Sequence, residues 1–505
     1  MKIFMKVLIL ISVLMLLSGE VLFSAEKRDK DAKAASDDLV AYMPETMRIM
    51  ALDECVRFAV YNSFEVQLAK LDLLIAETDK MYAEAVFDTF LLGNAYYIED
   101  KRQAVSVFAP DNEQQNYYSF GARKEFPTGT EVTATWSDTR DWNNTTFTTV
   151  NPSHTAELSV ELRQPVGKNF FGYVDRNTIT ITELAIKNAD LETKNRIENL
   201  IVKVEKAYWD LVLQKKSVKI FRDMLDRAKS LNDQNEKNFD IGLIEKGDLY
   251  ASQANLVLKE TDLIIAKNNY QRAEANLKLL MNTSDEALIY PADDVDDRVM
   301  DRDLAWCLNT AFENRRDYRI RKRDVDIKNI TVKMKANEKW PEIDLVGTMA
   351  MNGVDRKFHA AAGRTTAVDN VYYYAGVEVT VPVENRQARS EYKKASYEKE
   401  RAIVSLKDTE RTIITEVGNS FRDVETYWVN MANIREAVRL QSDKLQEEEK
   451  RFNQGRSNTK RLIDFQNDLI LAQLEEAQID RRYENSVTDL KSSMNTLLGE
   501  YEDAL

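Results

Sequence analysis

The chain has 505 residues, 44% hydrophobic and 30% charged, and carries a net charge of −14. That balance excludes a disordered chain and a bundle of membrane-spanning helices, and the acidity argues against a general nucleic-acid binder. Glycine (15) and proline (8) are scarce, which permits very long helices.

At the N-terminus the apolar run Val7 to Leu17 follows Lys2 and Lys6. It is too short to cross a bilayer as a helix but suits the core of a secretory leader over residues 1–25, cleaved at Ser24-Ala25 or Ser18-Gly19. Losing Lys2, Lys6 and Glu20 makes the mature chain one charge more negative. A linker then runs over 26–50. No later segment is apolar enough for a transmembrane helix, so an exported chain entering a membrane would do so as strands. Cys55 and Cys307 are too few for a disulfide framework and read as small residues on helix faces.

An internal duplication organises the rest of the chain. Leu52, Cys55, Ala59 and Asn62 recur as Leu304, Cys307, Ala311 and Asn314, at an offset of 252. Further on, Val204, Leu211, Val218 and Leu225 repeat every seven residues, and an offset of 213 gives Val417, Val424, Met431 and Val438. The same offset carries Leu249, Leu256, Tyr270 and Leu277 onto Leu462, Leu469, Tyr483 and Leu490, and Phe239 and Gly242 onto Phe452 and Gly455. Two repeats result, 51–282 and 304–499, each reading helix, strands, long helix, turn, long helix, with a tail over 500–505. The fall in offset places about 39 extra residues between Gly93 and Val204. The acidic stretch 283–303 joins the halves. Its cluster Asp293-Asp294-Val295-Asp296-Asp297 lacks the glycine and final glutamate of a calcium loop and reads as solvated linker.

Thr155 to Arg163 alternates Ala156, Leu158, Val160 and Leu162 with Glu157, Ser159, Glu161 and Arg163. Tyr373 to Val383 alternates likewise, and upstream partners lie at Thr89 to Ile98 and Ile343 to Asn352. One apolar and one wet face over about ten residues fits a tilted membrane strand. Tyr96-Tyr97, Tyr117-Tyr118 and Tyr372-Tyr373-Tyr374 suit an interfacial girdle. Tyr117 to Phe126 and Thr130 to Asp138, around Pro127-Thr128-Gly129-Thr130, predict an additional hairpin. Two strands per half plus this hairpin give six, fewer than the roughly eight a closed barrel needs. Several copies must therefore share one barrel.

Thr182 to about Phe239 has neither proline nor glycine, enough for roughly 85 Å of helix. The seven-residue spacing implies coiled-coil packing. Ile241-Gly242-Leu243 breaks this helix, Asp248 to Met281 returns, and Gln441 to Leu498 repeats the hairpin around Gly455.

At the hairpin tips a resemblance becomes specific. Phe239-Asp240-Ile241-Gly242-Leu243-Ile244-Glu245-Lys246-Gly247-Asp248-Leu249, followed by Gln253, resembles the helix-turn-helix tip of TolC-family outer-membrane efflux proteins. Arg451-Phe452-Asn453-Gln454-Gly455, followed by Leu462-Ile463-Asp464, resembles their second tip, and Leu52-Asp53-Glu54-Cys55 with Ala59 and Asn62 their opening helix. The similarity spans roughly residues 50 to 500. It implies a mainly α fold with membrane β: a long antiparallel coiled-coil helical barrel plus a small oligomeric transmembrane β-barrel, internally duplicated. It also implies a homotrimer in the cell outer membrane, in contact with its lipid, with the helical part in the periplasm.

For function the resemblance implies a passive conduit for efflux or type I secretion, coupled to a periplasmic adaptor (membrane fusion protein) and an inner-membrane pump. Docking falls on Gly242, Leu243, Gly455 and Arg456. Asp464 matches a carboxylate of the inner constriction, while Arg461 stands where the family has another. Asp248 matches a carboxylate of the links that close the tips, but the expected tyrosine and arginine partners are Phe452 and Ser457 here. Arg456 or Arg461 would supply the missing arginine.

No zinc-binding histidine pair, nucleophile elbow, phosphate loop or dinucleotide fingerprint occurs. His154 and His359 read as surface loop residues, and the carboxylates sit among Lys and Arg as solvated faces. Neither catalysis, cofactor nor metal is expected. The competing reading, a periplasmic coiled-coil adaptor or scaffold, would want one hairpin and glycine-rich β segments instead of two hairpins and membrane-length strands.

Overall fold

The computed structural model describes residues 47–103, 109–145, 148–295, 302–367 and 369–501. The leader expected over 1–25 lies outside them, as do residues 26–46 of the first linker and 502–505 of the tail. Two compact units form, and they are not the two sequence repeats. Among the described residues, a helical unit takes 47–70, Glu192–Arg316 and 410–501, and a sheet unit takes Leu71–Leu191 and Asp317–Thr409. Each repeat contributes strands to one and helix ends to the other, so like parts collect together in space.

In the sheet unit, six antiparallel strands stand in the order β2-β3-β4-β5-β7-β8. They are β2 (Thr89–Asp100), β3 (Glu113–Glu125), β4 (Glu131–Asn143), β5 (Ser153–Pro165), β7 (Glu342–Asp355) and β8 (Val371–Thr380). Every expected strand is present, and β3–β4 is the additional hairpin. β8 stops at Thr380, short of Val383, where Pro382 removes a backbone donor.

The ladder register sorts side chains onto two faces. Leu158 pairs with Trp136, Trp136 with Phe120, and Leu158 with Met351, making one face apolar. The other pairs Ser119 with Ser137 and Glu161 with Thr348, and there Arg163 donates to Asp344 (2.9 Å) and Glu378 (2.8 Å). The tyrosines do not form one girdle. Period two sends Tyr97, Tyr118 and Tyr373 to the apolar face but Tyr96 and Tyr117 to the polar one, where they stack at 4.8 Å.

One short helix covers part of the apolar face. α7 (Phe358–Arg364) lies between β7 and β8 in sequence, and Phe358 meets Trp136 and His154 edge-on at 5.9 Å. Beneath it His154 Nδ1 lies 2.9 Å from an Asp138 carboxylate that is 1% exposed. His154 is therefore a partnered strand residue, not a loop residue, because β4 and β5 bring it beside Asp138; His359 is exposed on α7. A carboxylate on an otherwise apolar face needs such pairing and cover. Gly353 makes room, since a Cβ there would meet Ala361 O at 2.3 Å and Arg364 Cβ at 2.6 Å. Gly353→Val should thus lift α7 off the sheet. A reporter Ala361→Cys, at a position now fully buried, should become open to a water-soluble maleimide only when valine is present; continued protection would refute the contact.

Two helices of 68 residues dominate the rest: α3 (Tyr173–Asp240) and α8 (Arg386–Asn453), each about 100 Å long. They return through α4 (Lys246–Met281) and α9 (Thr459–Ser493). Smaller helices are α1 (Leu52–Asn62), α2 (Phe64–Glu84), α5 (Leu304–Asn314), α6 (Arg316–Asn337) and α10 (Leu497–Glu500). The seven-residue stripe is the core of the helical unit: Val204, Leu211, Val218, Val417, Val424 and Met431 are buried, as are Tyr270, Leu277, Tyr483 and Leu490. Cys55 and Cys307 are buried and unbridged, and burial pushes the Cys55 thiol up to about 12.

The duplication extends to the ends of the returning helices. Asn282 and Asn495, 213 apart, both have φ 52°. In each case the next residue donates five back, Thr283 to Lys278 and Thr496 to Lys491, both at 3.1 Å. That is the same helix stop built twice.

The acidic stretch 283–303 is not simply solvated linker. β6 (Leu288–Pro291) pairs in parallel with β1 (Met47–Met50), and Leu288, Ile289 and Met50 are buried. The Asp293 carboxylate accepts from Leu52 N (2.7 Å) and from the Tyr208 hydroxyl (2.7 Å), so it caps α1 from a distant part of the chain.

Candidate functional site: the two helical tips

Both tips belong to the helical unit, and both are Schellman turns. At the first, Gly242 N donates to Phe239 O (2.9 Å) and Leu243 N to Asn238 O (2.8 Å). At the second, Gly455 N donates to Phe452 O (2.9 Å) and Arg456 N to Arg451 O (2.9 Å). Gly242 (φ 77°) and Gly455 (φ 69°) occupy the left-handed position. A Cβ would meet nothing within 4 Å at either, so glycine is there for its backbone conformation, not for space.

The rigid turns present different chemistry. The first exposes Ile241 (69%) and Leu243 (71%). The second exposes Arg451, Gln454 and Arg456. Asn458 opens α9 by accepting from Arg461 N (2.9 Å), an N-cap that the first tip lacks at Glu245.

Arg461 and Ser457, which the sequence assigns to constriction and closure, converge on a residue that the sequence does not single out. Glu448 is 2% exposed. One of its oxygens accepts from the Ser457 hydroxyl and lies 3.2 Å from Arg461 Nε; the other lies 3.9 Å from Arg451. The arginine is therefore spoken for inside its own hairpin. Arg461 also lies over the Phe465 ring at 5.4 Å, beside Lys444 at 3.9 Å. Phe452 packs with Leu462, Leu445 and Leu231, which is what a phenylalanine in place of tyrosine does. It links nothing by hydrogen bonding.

Asp464 and Asp248 are different. Asp464 is exposed and Asp248 half-buried, and neither carboxylate has an ion pair or side-chain hydrogen bond among the described residues. The structure thus joins Arg461 with Ser457 but brings neither to Asp248. The repeat also makes the tips unlike: the position of Glu448 in the second is Asn235 in the first, fully buried and donating to Thr459 Oγ1 (3.2 Å). Arg461 itself corresponds to Asp248 at the same 213 offset. No group of His, Cys, Asp or Glu that would hold a metal occurs among the described residues, and no described helix is long and apolar enough to cross a membrane.

The outer membrane efflux protein profile matches residues 126–283 and 307–496, more than half of the chain and both hairpins. The chain belongs to the outer membrane efflux protein family. Its fold is that of solved channels at low identity. It is similar to the CmeC outer membrane channel of Campylobacter jejuni, at 14% identity and TM-score 0.64, covering 93% of this chain and 94% of that one. It is similar to the outer membrane protein VceC of Vibrio cholerae, at 14% and 0.64 with 88% and 95% covered. For the open-state MtrE channel of Neisseria gonorrhoeae the values are 14% and 0.63, with 88% of each chain covered. No curated protein matches the sequence. By its family membership the chain is an outer membrane efflux protein.

Proposed function

We propose that three copies of this chain form one conduit, and that its tips dock a periplasmic adaptor linked to an inner-membrane pump. The observation that carries this reading is the pair of rigid glycine turns. They hold Ile241 and Leu243 exposed on one tip and Arg451 and Arg456 on the other, an apolar and a basic contact at fixed positions. Exposed apolar side chains at a helix turn contribute nothing to this chain's own core and suit a partner surface. Gly242, Leu243, Gly455 and Arg456 are the docking residues. Asp464 faces the conduit, where a ring of like carboxylates focuses the field and attracts cations.

Crosslinking in outer-membrane fractions, followed by copurification of native complexes, tests this. A trimer that brings down an adaptor, and loses it on Leu243→Asp while remaining trimeric, is the expected result. Monomers, or complexes indifferent to Leu243→Asp, would remove the docking assignment. In planar bilayers Asp464→Ala should raise conductance or weaken block by divalent cations. Unchanged single-channel behaviour would take Asp464 out of the constriction.

A further inference from the structure

The hairpin β3–β4 is the part of this chain that its own second half lacks. β2 and β5 stand in the first repeat where β7 and β8 stand in the second. The question is whether the hairpin is a flap at the end of the sheet or part of its wall.

The register decides. β3 pairs with β2 along its whole length, from Thr89↔Lys124 to Asp100↔Glu113, and β4 pairs with β5 from Glu131↔Arg163 to Asp141↔Ser153. A flap would extend past the ends of its neighbours; these strands stop level with them. The hairpin also carries the same two faces as the strands beside it. Phe120, Ala122 and Ala134 continue the apolar side, and Ser119, Thr135 and Ser137 the polar one. Its turn is seated at the end where β5 leads on to α3: Gly129 and Gly172, both at positive φ, approach so closely that a Cβ on either would lie 2.6 Å from the other's N. Gln164 Nε2 also donates to Thr128 O at 3.1 Å.

Resting on the shared-conduit reading above, we infer that β3–β4 is a full membrane-spanning section of the wall, so that each copy supplies six strands and closes against a second copy through β2 of one and β8 of the next. In this sheet β2 and β8 are the two edges, both almost wholly exposed. An unpaired edge has no partner for its backbone groups in lipid. Because the number of strands is even and all neighbours are antiparallel, β8 of one copy meets β2 of the next antiparallel as well. Six strands from each of three copies make eighteen. At about 4.8 Å between strands and a tilt near 40°, the barrel is about 36 Å across, against about 24 Å without the hairpins.

The experiment uses the full chain in outer-membrane vesicles and has two arms. Ala95→Cys is combined in turn with Tyr373→Cys, Ala375→Cys and Val377→Cys and then oxidised; native Cys55 and Cys307 are fully buried and do not interfere. An inter-copy ladder is expected for one register. Separately, single cysteines at Phe120, Ala134, Ser119 and Thr135 are labelled with a charged maleimide, with exposed Asp111→Cys as reference. Phe120→Cys and Ala134→Cys should label an order of magnitude more slowly than the reference, and Ser119→Cys and Thr135→Cys comparably to it. A ladder accompanied by fast labelling at Phe120→Cys and Ala134→Cys would overturn the wall assignment while leaving the shared conduit standing. Absence of any ladder, with the chain monomeric, would overturn the shared conduit itself.

Discussion

Arg316→Ala should destabilise the helical unit by about 3–5 kcal/mol, the cost of leaving a buried carboxylate unpaired. The partner is Glu198, 1% exposed, which accepts from Arg316 and from Asn495 Nδ2 (3.3 Å). Burial pushes Glu198 above the usual carboxylate range, against the opposing pull of Arg316 and Asn495. A carboxyl raised in this way stabilises the fold fully only below its unfolded value, and that contribution is lost as pH rises through the folded value. Removing Arg316 raises Glu198 further, so the loss of stability should deepen toward neutral pH and shrink in acid. Thermal melting in detergent across pH measures this. Replacing both partners with apolar residues, Arg316→Met with Glu198→Leu, should recover most of the stability. A single mutant that melts like the parent at every pH would show that the pair contributes nothing.

Glu448→Leu should reverse the charge preference of the tip. The carboxylate now neutralises Arg461 and stands 3.9 Å from Arg451. Leucine at this position would join Leu445 and Phe452 in the apolar cluster, so folding should survive the change. Arg461 would then be released, adding one uncompensated positive charge per copy near Asp464. Single-channel reversal potentials in a salt gradient should move toward anions, and Arg461→Gln in the same background should move them back. If selectivity stays put while the protein assembles normally, Arg461 does not face the conduit.

Much of the fold is readable from the residues, for definite reasons. The strands are legible because one face is apolar and the other wet, and Leu158 beside Glu157 cannot be arranged otherwise. The tips are legible because only glycine readily accepts the backbone angle at 242 and 455, and the 213 offset shows the same turn twice. Other features give no local signal. β6 has four residues in an acidic flank, too few for a period. Glu448 sits in Gln446-Glu447-Glu448-Glu449-Lys450, which reads as a solvated run, yet on a helix one of three consecutive glutamates points inward along the line of Leu445 and Phe452. Asp138 and His154 become neighbours only through the β4–β5 register, and α7 is a seven-residue helix whose role rests on the absence of a side chain at Gly353.

The polar face of the added hairpin carries Thr133, Thr135, Ser137 and Thr139 in succession. Hydroxyl groups bind water readily yet hold no fixed charge. They do not stand alone, for the ladder sets Ser137 across from Glu157, Thr133 across from Glu161 and Glu131 across from Arg163, so a neutral, water-binding row runs beside a charged one on the same face.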